Sequence, residues 1–233
     1  MKKLIIIPAY NEKESIRETV KEICEKTEDY DYLVVNDCSR DGTKDILETY
    51  HLHHVSLCNN LGIGGAVQTG YRYARDHGYD LAVQVDGDGQ HDPGFLTQME
   101  SCMEKEKADM VIGSRFLEGK GFQSSGLRRV GIRYFTALIH LLTGQIITDP
   151  TSGMRMVNRR IIELFAEEYP DDYPEPESVT ALLLSGGKVV EMPVLMRERS
   201  GGVSSISPLK SVYYMIKVTM AILMARLRGK EGL

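Results

Sequence analysis

Three aspartates crowd the stretch LAVQVDGDGQHDPGFL, residues 81–96: Asp86, Asp88 and Asp92, separated by Gly87, Gly89, Gln90 and His91. Like charges this close raise one another's pKa unless a cation sits among them. The carboxylates of Asp86 and Asp88, with the amide oxygen of Gln90, form a hard oxygen set suited to Mg²⁺ or Mn²⁺. Mg²⁺ takes few protein ligands and fills its shell with water and phosphate oxygens, and the glycines leave room for a bulky anion. A divalent ion gripping a diphosphate is one reading. The other is structural: Asp and Gly are ordinary turn residues, and Asp92 before Pro93 is a good helix start. His91 either reaches the phosphates or caps a turn.

Arginines supply the opposite charge. GSRF carries Arg115, and GLRRVGIRYF carries Arg128, Arg129 and Arg133. Planar guanidinium groups suit a phosphate, although adjacent arginines are also common on solvated surfaces. The glycines of GIGGA, 62–66, lack the G-x-G-x-x-G spacing of a dinucleotide loop, and no G-K-[ST] marks a P-loop. They are read as letting the chain pass close to a ligand or a helix. The histidines of HLHH, 51–54, have no carboxylate or cysteine at metal-ligand spacing and are read as an exposed connector.

These residues need a frame. From residue 1 to about 115, the apolar runs LIIIPAY, YLVVND, HVSLCN, LAVQVD and DMVIGSR alternate with helical patterns. Continuous strands separated by amphipathic helices predict a Rossmann-like α/β fold, its sheet mostly parallel with helices on both faces. Each run ends in polar residues, and open α/β sheets bind ligands at the C-terminal edge of their strands. Several clusters should therefore meet in one crevice. Further on, 126–143 reads as a helix with a basic start, TDPTSGMRMVNRR as a loop entering a short strand, and DDYPEPES as a Pro-broken loop. VTALLLSGG reads as a short helix, KVVEMPVLM as a strand, RERSGGVSS as a basic loop, and Pro208 to Arg228 as a terminal amphipathic helix. The expected organisation is a catalytic-type domain over 1–205 and the helical segment over 206–233.

Composition narrows the class. The 233 residues are 42% apolar and 26% charged, with net charge -5, which suits a sizeable core and argues against general nucleic-acid binding. The four cysteines are scattered without C-x-x-C spacing, as in a reducing cytoplasm. LIII after Met1 is too short for a signal peptide and is read as a buried strand. VYYMIKVTMAILMA, 212–225, would make a helix of about 21 Å against a hydrocarbon core of about 30 Å, too short to span.

IIIPAYNE, VVNDCSRDGT, NLGIGGAVQTGYRYA, VDGDGQHDP and GSRF occur in the order and spacing of family 2 glycosyltransferases. The chain resembles, within them, the dolichol-phosphate mannose synthase and polyprenyl-phosphate glycosyltransferase group, over about residues 4–205. The resemblance implies a GT-A fold and a nucleotide-diphosphate sugar donor. Pro8, Tyr10 and Glu12 would line the nucleotide pocket, Asp37 would bond the base, Asp86 would face the ribose and sugar, and Asp88 with Gln90 would hold the metal. Left to physical chemistry alone, Tyr10 could equally pack under a loop, and Asp37, Ser39 and Asp41 could simply start a helix.

MRERSGGVSS resembles the family's Arg-x-x-Gly-x-Ser segment, which closes over the diphosphate, with Arg199 as its principal charge and Ser204 beside it. Ser205 stands where many relatives have Lys. DPTSGMR resembles the segment that would bring Asp149, Ser152 and Arg155 to the acceptor, beside Arg115, Arg129 and Arg133. A lipid phosphate is already anionic near pH 7 and needs orientation and charge neutralisation rather than a strong base. A saccharide hydroxyl needs a base, and Asp149 is then the candidate. Either acceptor implies direct displacement with inversion. Glu175 and Glu177 would contact sugar hydroxyls or merely keep a loop soluble. The terminal helix, apolar nearly all round with Tyr213 and Tyr214, must bury itself in a core, a second copy, a small membrane-protein partner or a membrane interface. The expectation is a peripheral enzyme on the cytoplasmic face of the cell membrane. Its rivals are a polysaccharide-assembling transferase and a non-catalytic scaffold that binds nucleotide sugar.

Overall fold

The computed structural model of the protein describes residues 1–119, 126–197 and 208–228. In its first half, strands and helices alternate as β1 (Lys3–Ala9), α1 (Ile16–Lys26), β2 (Asp31–Asn36), α2 (Thr43–Thr49), β3 (His54–Ser56), α3 (Gly62–Asp76) and β4 (Leu81–Gln84). A short 3₁₀ turn at Pro93–Phe95 leads into α4 (Leu96–Glu106) and β5 (Met110–Ser114). Then come α5 (Gly126–Thr143), β6 (Arg155–Asn158), α6 (Arg159–Glu167), α7 (Pro174–Leu184), β7 (Val189–Pro193) and α8 (Pro208–Arg228).

The strands form one sheet in the order β3-β2-β1-β4-β6-β5-β7. Only β6 runs against its neighbours, pairing antiparallel with β4 and β5, so the sheet is mostly parallel as expected. Alternation along β1 shows why both faces are covered. Leu4 and Ile6 enter a core shared with Val67 of α3, Phe135 of α5, Phe165 of α6, Leu182 of α7 and Val218 of α8. Ile5 and Ile7 enter the opposite core with Val20 of α1, Leu47 of α2 and Met99 of α4. Side chains two apart on a strand share a face, so a run apolar at every position needs a layer on each side.

The terminal helix has the bounds the pattern predicts, and it belongs to the first core: Val218 and Ile222 are buried, and the Tyr214 ring meets those of Phe135 and Tyr173 edge-on. The segment DDYPEPES differs from expectation, since α7 begins within it. Pro174 opens the helix, where the missing N–H has no partner to lose. The helix α6 was not anticipated; Asn158 starts it, its side chain accepting from Ile161 N–H at 3.1 Å.

Candidate active site

The polar residues after β1, β2 and β4 gather at one edge of the sheet. Pro8 is buried within β1 beside Val35, and its carbonyl lies where a Cβ at Gly87 would be 3.2 Å away, so the acidic turn passes close over β1. Tyr10 is exposed at the rim. Asn11 and Cys38 adopt left-handed backbone, which turns both chain ends. Their loops interlock: Asn11 N–H donates to Ser39 Oγ at 3.0 Å, Arg40 N–H to Asn11 Oδ1 at 2.8 Å, and Glu12 N–H to Thr43 Oγ1 at 2.9 Å. The buried Glu12 carboxylate takes the Ser15 hydroxyl at 2.9 Å.

Asp37, expected to bond a base, is buried and holds the start of α3. Its two oxygens accept from Leu61 N–H at 2.7 Å, Gly62 N–H at 2.9 Å and Asn60 Nδ2 at 2.9 Å. Burial pushes its carboxyl up, with the two amides pulling the other way. Asp41 does the capping at α2, accepting from Thr43 N–H at 3.0 Å. The glycine reading holds in a specific form: a Cβ at Gly64 would stand 2.0 Å from the Pro170 carbonyl oxygen, so α3 passes against the 170–171 backbone.

In the acidic turn the three aspartates have separate fates. Asp92 caps the 3₁₀ turn through Gly94 N–H and pairs with Lys26 at 2.8 Å and Arg197 at 2.9 Å. Burial would raise its pKa, but those bonds prevail and hold it below the usual carboxylate range. Asp86 accepts from Gln84 Nε2 at 2.9 Å and lies 3.6 Å from His91 Nε2, while His91 Nδ1 accepts the Asp86 N–H at 3.0 Å. That bond places the neutral ring's proton on Nε2, facing the carboxylate. His91 is buried, so it braces the turn from within. Asp88 accepts from Gln90 N–H at 3.0 Å. Gln90 donates from Nε2 to the Arg197 carbonyl at 3.2 Å, which leaves its amide oxygen as the end available to a cation.

This donor set fits a hard divalent ion that keeps part of its shell for other ligands. No group of three or more His, Cys, Asp or Glu side chains could hold a metal among the described residues. Two carboxylates and an amide oxygen leave coordination positions for phosphate and water. The backbone passes close to this turn at Gly153, where a Cβ would lie 3.0 Å from Asp86 Oδ2 and 3.1 Å from Gln84 Nε2.

On the acceptor side several expectations change. Asp149 is fully buried and forked with Arg115, with Oδ2 to Nε and Oδ1 to Nη2 both at 2.7 Å. A carboxylate so engaged differs from the proton-accepting base expected of it; here it positions the guanidinium. Ser152 is buried with its hydroxyl on the Gly113 carbonyl at 2.6 Å. Arg155 is buried too, donating to the carbonyls of Pro150, Ser152 and Glu175 and to Ser178 Oγ. Both residues support the loop from inside rather than facing a ligand. Through Arg155, the first turn of α7 with Glu175 and Glu177 is tied to this end of the sheet.

Arg129 and Arg133 do line a cavity, of about 540 Å³, with Phe116, Ile132, His140 and Ile146 among its walls. Arg199 and Ser204 lie outside the described residues. Sequence reasoning missed Glu191, whose carboxylate accepts from Thr148 N–H at 2.7 Å and Asp149 N–H at 2.8 Å and so shapes the Asp149 loop. It also missed Gln84; a polar residue breaking an apolar strand just before Asp86 was the available signal.

Comparison with known proteins identifies the family and the fold. The model of the family described as glycosyl transferase family 2 matches residues 4–165. Undecaprenyl-phosphate mannosyltransferase of Micrococcus luteus is 32% identical over 216 residues, covering 89% of this chain and 88% of that protein. Polyprenol monophosphomannose synthase of Mycolicibacterium smegmatis is 29% identical, covering 98% of this chain and 90% of its own. Among solved structures, glucosyl-3-phosphoglycerate synthase from Mycobacterium tuberculosis, in complex with Mn²⁺, uridine diphosphate and phosphoglyceric acid, superposes with a TM-score of 0.70. It is 18% identical, and the match covers 97% of this chain and 78% of that one.

Proposed function

The chain belongs to glycosyl transferase family 2, a glycosyltransferase with the GT-A fold, and from that premise we propose that it moves a hexose from a nucleotide-diphosphate sugar to a polyprenyl phosphate. The observation that carries this is the pairing of an acidic turn at the end of β4 with an arginine-lined cavity on α5. The named activities of the Micrococcus and Mycolicibacterium relatives support the acceptor class.

In this reading Tyr10, Glu12 and Asp37 form the nucleotide edge, with Asp37 keeping that edge in shape through the start of α3. Asp88 and Gln90, with Asp86 beside them, would hold Mg²⁺ or Mn²⁺. Such an ion, when bound, supplies positive charge to the departing diphosphate. Arg115, oriented by Asp149, and Arg129 and Arg133 at the cavity would neutralise and aim the acceptor phosphate, whose oxygen displaces the diphosphate with inversion. Arg199 is assigned to the diphosphate side and Ser204 to the acceptor. The saccharide-hydroxyl alternative is weaker because it needs a proton acceptor. Asp149 is spent on Arg115, and none of the described residues lining the cavity is a carboxylate.

The same reading puts the protein on the inner face of the cell membrane. No helix among the described residues is long and apolar enough to cross a membrane. The helices α5 and α8 run parallel, side by side. A Cβ at Gly131 would meet Met215, Tyr134 bonds Thr219, and Leu142 accepts from Arg226, at separations of 84 or 85 residues. Each helix leaves apolar side chains exposed at helical spacing, Val130, Tyr134 and Leu141 on α5 and Ile216, Met220 and Leu223 on α8.

Calorimetry with nucleotide sugars and Mn²⁺, followed by transfer of radiolabel to purified polyprenyl phosphate, tests the proposal. Asp88→Ala should abolish metal-dependent donor binding, and the native chain should label the lipid without any saccharide added. Undiminished donor affinity in that variant would remove the metal assignment. Label appearing only on a saccharide would remove the acceptor assignment.

A further inference from the structure

Behind the acidic turn, four charged side chains from three segments close a ring. Arg197 lies four residues beyond the end of β7. Its Nη1 and Nη2 each reach the Glu22 carboxylate on α1 at 2.8 Å, and Nη2 also meets Asp92 at 2.9 Å. Lys26, one turn along α1, meets Glu22 at 2.7 Å and Asp92 at 2.8 Å. Two acids and two bases thus alternate around the ring. The bond from Arg197, followed by those from Lys26, holds the Glu22 carboxyl below its ordinary range against some burial.

The main chain of Arg197 grips the turn as well. Its N–H donates to the Gln90 carbonyl at 3.0 Å, its own carbonyl accepts Gln90 Nε2 at 3.2 Å, and Met196 bridges to His91. The residue whose guanidinium is held by α1 therefore also decides which way the Gln90 amide lies. We infer that Arg197 is a positioning residue for the metal-holding turn. Anchored to Glu22 and Asp92, it keeps its carbonyl where Gln90 Nε2 can reach it, and so leaves Gln90 Oε1 as the end that would face a cation.

This inference rests on the proposed metal site and adds the device that sets its geometry. The four side chains are between 24% and 41% exposed, so each ion pair contributes little to global stability. A neighbour that only orients a metal ligand still changes metal affinity, commonly by about 10- to 100-fold when removed. Its effect should accordingly appear in metal binding and hardly at all in unfolding.

The test is Mn²⁺ titration of the full chain by calorimetry, with uridine diphosphate present, alongside thermal unfolding without metal. Arg197→Met should weaken Mn²⁺ binding by about tenfold, with a metal-free midpoint within a few degrees of native. Arg197→Lys should restore part of the affinity, because one ammonium cannot fork to Glu22 and still reach Asp92. Glu22→Gln, a near-isosteric change at a half-buried helix position, should weaken binding in the same direction and less. Native-like Mn²⁺ affinity in a folded Arg197→Met chain, or in Glu22→Gln if the first does not fold, overturns the inference while leaving the proposed function standing. A native chain that binds no Mn²⁺ overturns the metal reading of the turn, and this inference with it.

Discussion

Arg155 shows how a side chain's neighbours decide its task. An arginine beside a phosphate site invites assignment to the ligand, yet this one is almost fully buried and spends four N–H donors on three carbonyls and a serine hydroxyl. It ties the 150–152 loop to the first turn of α7, and its removal would leave largely buried acceptors without a partner. Arg155→Met should therefore cost about 3 kcal/mol or more in urea unfolding, since each orphaned buried acceptor costs about 1–3 kcal/mol. A loss under about 1 kcal/mol would mean that water reaches those carbonyls. Arg115 and Asp149 follow the same logic. Guanidinium chemistry at a strand end marked Arg115 and the family resemblance marked Asp149, but only the fold reveals that one is bound to the other.

Among the elements, α3 is placed by close backbone approach. Gly64 N–H donates to the Asp171 carbonyl at 3.1 Å, and a Cβ at Gly64 would fall 2.0 Å and 2.2 Å from two main-chain oxygens. Backbone cannot swing aside as a flexible side chain can, so Gly64→Ala must shift the helix whose start Asp37 caps. A destabilisation of about 2–3 kcal/mol is expected from overpacking, read by denaturant unfolding. Gly126→Ala is the control, with nothing among the described residues within 4 Å of its Cβ, and should be neutral or slightly stabilising. If both variants unfold at the same denaturant concentration, the tight contact is not real. The sequence announced α3 through its glycines and amphipathic period, but which chain passes over it depends on α6 and the 170–171 segment, about a hundred residues away.

For the molecule as a whole, the proposed docking to a membrane rests on the apolar side chains that α5 and α8 leave exposed. Vesicles containing acidic lipid should carry the native chain into the pellet at low salt, and Leu141→Glu with Ile216→Glu should leave it in the supernatant. A short-chain, water-soluble polyprenyl phosphate should still be glycosylated by both, which separates membrane docking from chemistry. If the native chain ignores vesicles and instead sediments as a dimer that the double variant loses, the face belongs to a second copy.

How much was legible in advance follows from the range of the forces involved. Strand and helix periodicity, the acidic turn and the terminal helix of 208–228 are local signals. Burial on two faces, capping and close spacing of like charges act over a few residues, so the sequence by itself determined the α/β frame and the edge where its polar residues gather. Tertiary structure alone decided the antiparallel insertion of β6, because strand direction depends on which partner it meets. It also separated facing residues from bracing ones. Whether Asp92 merely starts a helix turn or also pairs with Lys26 and Arg197, and whether Asp149 is a base or a clamp, depends on charges brought within 3 Å from distant parts of the chain. No spacing rule carries that information, since an ion pair's energy depends on separation in space and solvent access, neither of which sequence distance records.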